Sequence, residues 1–191
     1  MLGRMFLTLT RSPRLNAVLW DAQYRLGVWD RLDTATVTGG EFAKMIAEHA
    51  PLARILDLGC GTSVNLPLEP GTYRSYHGVD ISPKAIKRAR RLNRPDSTYE
   101  VADILAYQPA RAYDAILLRE VIYYLTPQQI HDLLTRLSEH LSQDGVVLIQ
   151  VWSAETNPDL KAAITSTSLT LVAERTHENA VSRPTVYALK R

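Results

Sequence analysis

The residues able to do chemistry gather around one turn. The stretch Arg54-Ile55-Leu56-Asp57-Leu58 runs straight into Gly59-Cys60-Gly61-Thr62-Ser63. Glycine permits a positive φ and lets a ligand approach the backbone with no Cβ in the way. A second carboxylate, Asp80, closes the segment His77-Gly78-Val79-Asp80. An acid at such a strand end accepts hydrogen bonds from two ribose hydroxyls, so turn and acid together describe a nucleoside site. A dinucleotide fits poorly, because the place of a third glycine holds Val64. Pro67, Pro70 and Gly71 also cut any helix after Ser63 to about one turn, which leaves no full helix N-terminus for a pyrophosphate. Asp57, directly before the turn, would repel a pyrophosphate and suits a cationic amine. The residues therefore favour an amino-acid nucleoside over NAD.

Other candidates lie further along. Glu120 follows the apolar run Ala112–Leu118 and offers a general base or a substrate anchor; its plainer reading is a carboxylate paired with Arg119 or another nearby basic side chain. Tyr123 and Tyr124 wall a pocket, with one of them packing into the core, and Trp152 and Ser153 end a later strand on the same side. His177 and Glu178 fall in a loop on that side too, where a histidine takes a proton from a hydroxyl or amine or is simply exposed. Cys60 has no histidine partner and reads as a small packed residue. The basic run Lys84, Lys87, Arg88, Arg90, Arg91 and Arg94 reads as the solvated face of a helix. Five histidines are present, no two close enough in sequence for a metal motif.

These residues must be positioned by strands alternating with helices. Helical spacing covers 14–31, with Leu15, Val18, Leu19, Leu26 and Trp29 as its apolar positions, and recurs over Glu41–His49. Strands are expected at 54–58, 76–80, 98–101, 112–118 and 146–152, the last entered by a turn at Gly145. A helix starts at Ser82-Pro83 and runs to about Leu92, and an amphipathic one covers 127–141. A short helix at 158–164 precedes two final strands, 169–173 and 185–189. The pattern predicts an α/β fold, a Rossmann-like seven-stranded, mostly parallel sheet with helices on both faces. The last two strands have no helix between them and should form an antiparallel pair at one edge. Ligands in such a sheet sit outside the carboxyl ends of the strands.

At this point the chain resembles the class I S-adenosylmethionine-dependent methyltransferases. Asp57–Thr62 resembles that family's motif I, Val79-Asp80-Ile81-Ser82 its second motif and Ala102-Asp103-Ile104 its third. Tyr113–Leu125 resembles the fourth, and Asp144–Ile149 the lead-in to the fifth strand. The resemblance implies that Asp57, Gly59 and Gly61 line the methionine side, with Cys60 between them, and that Asp80 holds the ribose. Ile81 would flank the adenine, Asp103 would face its amine beside Ile104, and Arg119 would begin the loop across from the methionine part. Several small-molecule methyltransferases also begin with an aromatic-rich helical segment like Trp20–Asp30. Tyr24 or Trp29 then closes over the sulfonium, since aromatic faces attract cations, or these rings merely pack the helix on the sheet.

The implied reaction is methyl transfer from S-adenosylmethionine to an N or O atom of a small molecule, leaving S-adenosylhomocysteine. The alternatives are a non-catalytic or non-methylating partner protein that binds the same cofactor, and an NAD oxidoreductase, which Val64 opposes. The patterns of DNA amino-methylating and metal-dependent catechol enzymes are missing after the fourth strand, and the Pro-Cys nucleophile of the cytosine-carbon type is absent, Cys60 being the only cysteine. Residues 1–50 read as N-terminal lid helices and 51–191 as the cofactor domain. The chain has 191 residues, one cysteine and a net charge of +2, which supports one domain without disulfides and gives no electrostatic drive toward nucleic acid or membrane. No apolar run is long enough for a bilayer, and a cytoplasmic protein is expected.

Overall fold

The computed structural model describes residues 13–29, 39–64, 66–152, 158–177 and 183–191. Its elements in chain order are α1 (Pro13–Arg25), α2 (Gly39–His49), β1 (Ala53–Leu58), β2 (Tyr73–Asp80) and α3 (Pro83–Arg90). There follow β3 (Ser97–Val101), β4 (Tyr113–Arg119), a single 3-10 turn (Ile122–Tyr124), α4 (Pro127–Glu139) and β5 (Leu141–Val151). The chain ends with α5 (Pro158–Thr165), β6 (Thr170–Thr176) and β7 (Thr185–Lys190).

The seven strands form one sheet in the order β3-β2-β1-β4-β5-β7-β6. The pairs from β3 to β5 are parallel. β7 runs antiparallel to both β5 and β6. The expected antiparallel edge pair is therefore present, with one refinement. The reversed strand is β7, second from the edge, and β6 at the edge runs with the rest.

Alternation along the central strands sorts two cores. Leu56, Leu58, Ile116, Leu118, Val147 and Ile149 face the layer that holds α4 and α5. Ile55, Ala115, Leu117, Val146 and Leu148 face Phe42, Met45 and Ile46 of α2. Strands buried on both faces explain the unbroken apolar runs in the sequence. α3 starts as its residues predict: Ser82 caps it, its Oγ accepting from Ala85 N, with Pro83 in the first turn. Thr126 and Gln129 form a reciprocal capping box on α4.

Several boundaries differ from expectation. α1 stops at Arg25, and Leu15, Val18 and Leu26 are exposed. α3 stops at Arg90, leaving Leu92 exposed. β5 begins at Leu141, not after Gly145; Leu141 already pairs with Tyr113 across a register irregularity, so the glycine lies inside the strand. No helix follows Ser63 among the described residues, shorter still than the single turn allowed for. Nor is any helix among them long and apolar enough to cross a membrane. Ser153 and Glu178 lie outside the described residues.

Candidate active site

The site is built where β1, β2 and β4 end side by side. The chain leaves β1 through a turn whose first amides, Gly59 N and Cys60 N, both donate to Val79 O of β2, at 2.8 and 3.0 Å. Gly59 (φ +77°) and Gly61 (φ +56°) hold left-handed conformations that a side chain would strain. They also leave room for neighbours: a Cβ on Gly59 would lie 2.5 Å from Val121 Cγ2, and one on Gly61 would lie 2.6 Å from the Tyr24 hydroxyl. Cys60 packs its sulfur against Gly78, and burial pushes its thiol well above the ordinary range, so it is a packed residue as expected.

Two carboxylates face each other across this turn. Asp80 accepts from Gly61 N at 2.9 Å through Oδ2 and from Ser82 N at 2.8 Å through Oδ1. Burial nevertheless pushes its carboxyl up to about 6. Each oxygen keeps a further lone pair, as two ribose hydroxyls would require. Asp57 is fully buried. Its Oδ2 accepts from the Tyr76 hydroxyl at 2.7 Å, while Oδ1 is buried with no partner among the described residues. Burial raises the Asp57 carboxyl, and Arg119, Tyr76 and Arg94 pull it back. An orphaned buried carboxylate oxygen calls for a cationic donor, so the residues fit an amino-acid nucleoside with its amine at Asp57.

The third acid is held beside them. Ala102 N donates to Asp80 O at 3.1 Å, and Asp103 Oδ1 accepts from Leu105 N at 3.0 Å. Ile81 is half-buried; Ile104 is buried against the core, and its carbonyl accepts from Arg136 at 2.9 Å. Alternation puts Arg119 on the α2 face with Asp57, where its guanidinium lies 5.4 Å from the Phe42 ring centre. Arg119 is thus buried on the Asp57 side of the sheet, and its charge lowers the Glu120 carboxyl without overcoming burial.

Glu120 has φ +55°, an uncommon conformation for a side-chain-bearing residue and one that recurs at functional sites. Glu120 N donates to Gln150 O at 3.0 Å. Its carboxylate accepts from Gln150 Nε2 at 3.0 Å and from the Tyr123 hydroxyl at 3.0 Å. The Trp152 amide also donates to it. Burial outweighs these donors and pushes the carboxyl up to about 7.

An aromatic wall runs from Glu120 to the β1 turn. Tyr123 and Tyr124 have ring centres 4.8 Å apart, and Tyr124 meets Trp20 edge-on at 5.0 Å. Trp20 lies 5.5 Å from Trp29, and Trp29 6.4 Å from Tyr24, whose hydroxyl covers Gly61. The Trp29 Nε1 donor is buried with no partner among the described residues. α1 is pinned to this place by Asp21, whose Oδ1 accepts from Ser82 Oγ at 2.9 Å and Lys84 N at 2.8 Å. Arg88 donates to Tyr24 O at 3.0 Å. The basic face of α3 is therefore not just a solvated one: Arg88 holds α1, Arg90 donates to Tyr99 O, and Arg94 holds the loop after the β1 turn.

Two expected residues stand apart. Trp152 gives its amide to Glu120, but its ring is exposed. His177 is at the same edge of the sheet, its amide donating to Pro184 O. It follows β6 directly, three strands from β4, which is ~14 Å at ordinary strand spacing. Sequence reasoning did not single out Asp21, Trp20, Tyr76 or Gln150. Asp21 carries a usable signal, an acid in an aromatic helix near a Ser-Pro helix start. The other three are ordinary strand or helix residues until the sheet order makes them neighbours.

Comparison with known proteins agrees with this geometry. Residues 34–186 match a family model described as a methyltransferase domain. The chain is 26% identical over 158 residues to the dTDP-3-amino-3,6-dideoxy-alpha-D-glucopyranose N,N-dimethyltransferase of Streptomyces fradiae, covering 78% of this chain and 62% of that relative. The chain thus spans about three-fifths of that relative's length. Among solved structures, N-methyltransferase NodS from Bradyrhizobium japonicum WM9 in complex with S-adenosyl-L-homocysteine superposes with a TM-score of 0.66 at 18% identity, covering 80% of this chain and 85% of that one. Magnesium protoporphyrin IX methyltransferase from Synechocystis PCC 6803, also with bound S-adenosylhomocysteine, gives 0.69 at 14% identity, covering 93% and 96%. These structural likenesses are likenesses of fold.

Proposed function

The chain belongs to the methyltransferase-domain family of class I S-adenosylmethionine-dependent enzymes, and from that premise we propose that it methylates an amino nitrogen of a small-molecule acceptor. S-adenosylmethionine, when bound, supplies a methyl group on a cationic sulfur. Asp57 takes its amine and Asp80 its ribose hydroxyls. Asp103, Ile81 and Ile104 border the base. The α1 segment is the lid, bringing Tyr24 and Trp29 over the turn where a cation would lie.

The observation that carries the choice of nitrogen is Glu120. An amine reaches a neutral-pH site largely as an ammonium ion and must lose a proton before its lone pair can attack. A half-buried carboxyl poised at about 7, held by Gln150 and Tyr123, takes that proton near neutral pH. Its negative charge also favours the ammonium on arrival. The rings of Tyr123, Tyr124, Trp20 and Trp29 offer apolar faces for the body of the acceptor and exclude water from it. Holding the two reactants in line supplies the larger share of the rate, of the order of 7–11 kcal/mol. The Streptomyces relative is named for an amino sugar, which supports the same acceptor class.

The test is turnover of paired acceptors. Amino sugars and their hydroxyl counterparts are incubated with the protein and S-adenosylmethionine, and products are read by mass spectrometry. Methylated amines with untouched hydroxyl counterparts are expected. Methylation of hydroxyls alone, or bound cofactor with no amine turned over, overturns the proposal.

A further inference from the structure

A line of hydrogen bonds reaches Asp57 from the β2 side. Tyr76 of β2 is fully buried, and its hydroxyl donates to Asp57 Oδ2 at 2.7 Å. With that proton spent, the Tyr76 oxygen accepts from Ser63 Oγ, 2.7 Å away. Ser63 Oγ in turn accepts from Arg94 Nη1 at 3.0 Å. The Arg94 guanidinium also donates to the carbonyls of Ser63 (2.9 Å) and Leu66 (2.8 Å) and stands 4.9 Å from the Tyr76 ring centre. Every donor points the same way, from a permanent cation through two hydroxyls to one carboxylate oxygen. Such a chain polarises cumulatively, and each link strengthens the next.

We infer that Tyr76, Ser63 and Arg94 are positioning residues that keep Asp57 ionised and turn its free oxygen Oδ1 toward the amine of the bound cofactor. The inference rests on the cofactor reading above and goes beyond it, to residues that reach the site through Asp57.

Local geometry supports it. Ser63 is held at φ +61°, a left-handed conformation that costs energy for serine. That conformation accompanies the placement of its hydroxyl between Tyr76 and Arg94. Without the chain, Asp57 would be a fully buried acid beside Asp80, and burial alone drives such a group toward its neutral form. Arg119 from β4, Tyr76 from β2 and Arg94 from the segment after α3 act on Asp57, and the titratable groups Asp80 of β2 and Cys60 of its own turn face it. Arg119 is the other cation, and it lies on β4; the chain acts from the β2 side. Two cations and one hydroxyl donor thus oppose burial and a second carboxylate.

The predicted consequence is a shift in the pH dependence of binding. The ammonium of the ligand prefers the charged form of Asp57, so affinity falls as pH drops through the Asp57 titration. Removing a donor to the charged form raises that titration. The experiment measures S-adenosylhomocysteine affinity by calorimetry from about pH 5 to about pH 8, below the range in which the ligand's own ammonium loses its proton. The proteins are wild type, Tyr76→Phe, Arg94→Met, Asp57→Asn and the double variant Tyr76→Phe with Asp57→Asn.

Tyr76→Phe keeps the ring and its packing. It should weaken binding roughly tenfold at the acid end of that range, the scale seen when an outer partner of a ligating group is lost, and the deficit should shrink as pH rises. Arg94→Met, at the half-buried end of the line, should give the same pH signature with a smaller factor, so the result does not hang on one core substitution. In the Asp57→Asn background, Tyr76→Phe should add nothing. If both single variants bind as wild type does at every pH, or if Tyr76→Phe loses the same factor in the Asp57→Asn background, the inference is overturned. If wild type itself fails to bind S-adenosylhomocysteine, the cofactor reading falls instead.

Discussion

Glu120 carries two opposed effects. In the proposed reaction, burial makes its carboxyl a fair base for an ammonium acceptor, and the same burial makes its charge a cost to the fold. Glu120→Gln keeps the shape and removes the base. In a steady-state assay with an amine acceptor, kcat should fall by about 10²–10⁴, with the S-adenosylhomocysteine dissociation constant within about twofold of wild type. The wild-type rate should decline as pH falls through about 7, where Glu120 takes up a proton. A variant with unchanged kcat would remove Glu120 from the chemistry. Stability should move the other way. The folded carboxyl titrates near 7 and an unfolded one near 4.5, so the folded state binds the extra proton and loses stability as pH rises between those values. Urea denaturation at pH 5 and pH 8 should show Glu120→Gln gaining on wild type by at most about 3 kcal/mol across that interval. A constant difference between the two proteins would mean that Glu120 is not strained by its charge.

At the scale of elements, α1 rests on a glycine. Gly61→Ala would place a methyl group 2.6 Å from the Tyr24 hydroxyl on a backbone already at φ +56°. The hydroxyl is the end of a side chain on a helix held by Asp21 and Arg88, so α1 should shift before the sheet does. Trp20 and Trp29 lie in the same cluster and report that shift. We expect altered tryptophan fluorescence, weaker cofactor binding and a stability loss of about 1–2 kcal/mol. Unaltered fluorescence and binding would show that Tyr24 is not seated on the turn. The strands and their order of appearance were legible in the sequence because apolar runs and glycine punctuation are local signals. So were Asp57, Gly59, Gly61 and Asp80, which sit at strand ends where type and position coincide. The start of β5 was not legible, since Gly145 looks like a turn unless the pairing of Leu141 with Tyr113 is known. The partners of Glu120 were not legible either: Gln150 is 30 residues away and becomes a neighbour only because β5 lies beside β4.

At the scale of the whole molecule, the two edges of the sheet are divided by task. The carboxyl ends carry buried acids that weaken the fold; the opposite ends carry a bolt. There Asp114 of β4 accepts from Arg54 of β1 three times, from N at 2.8 Å, Nε at 2.9 Å and Nη2 at 2.9 Å. The guanidinium holds the Asp114 carboxyl well below the ordinary carboxylate range. Its contribution is therefore present at neutral pH and fades only as acid protonates it. Asp114→Ala should cost about 1–2 kcal/mol, partly screened because both side chains are partly exposed. That is a melting shift of several degrees for a domain of this size. Cofactor affinity should not change, because the site lies at the far end of both strands. A parallel loss of affinity would show that the two edges are mechanically coupled.

The strand order also sets a timetable. β6 is made before β7 yet lies outside it, and every ladder bond of β6 goes to β7. A chain emerging from the ribosome can close β1 to β5 in the order of synthesis, but β6 must wait without a neighbour until residues 185–190 arrive and slide between it and β5. Until then the edge of β5 is open, with Val147, Ile149 and Val151 still unpaired on that side. Residues 185–190 are thus the seal of a sheet whose parallel strands precede them in the chain.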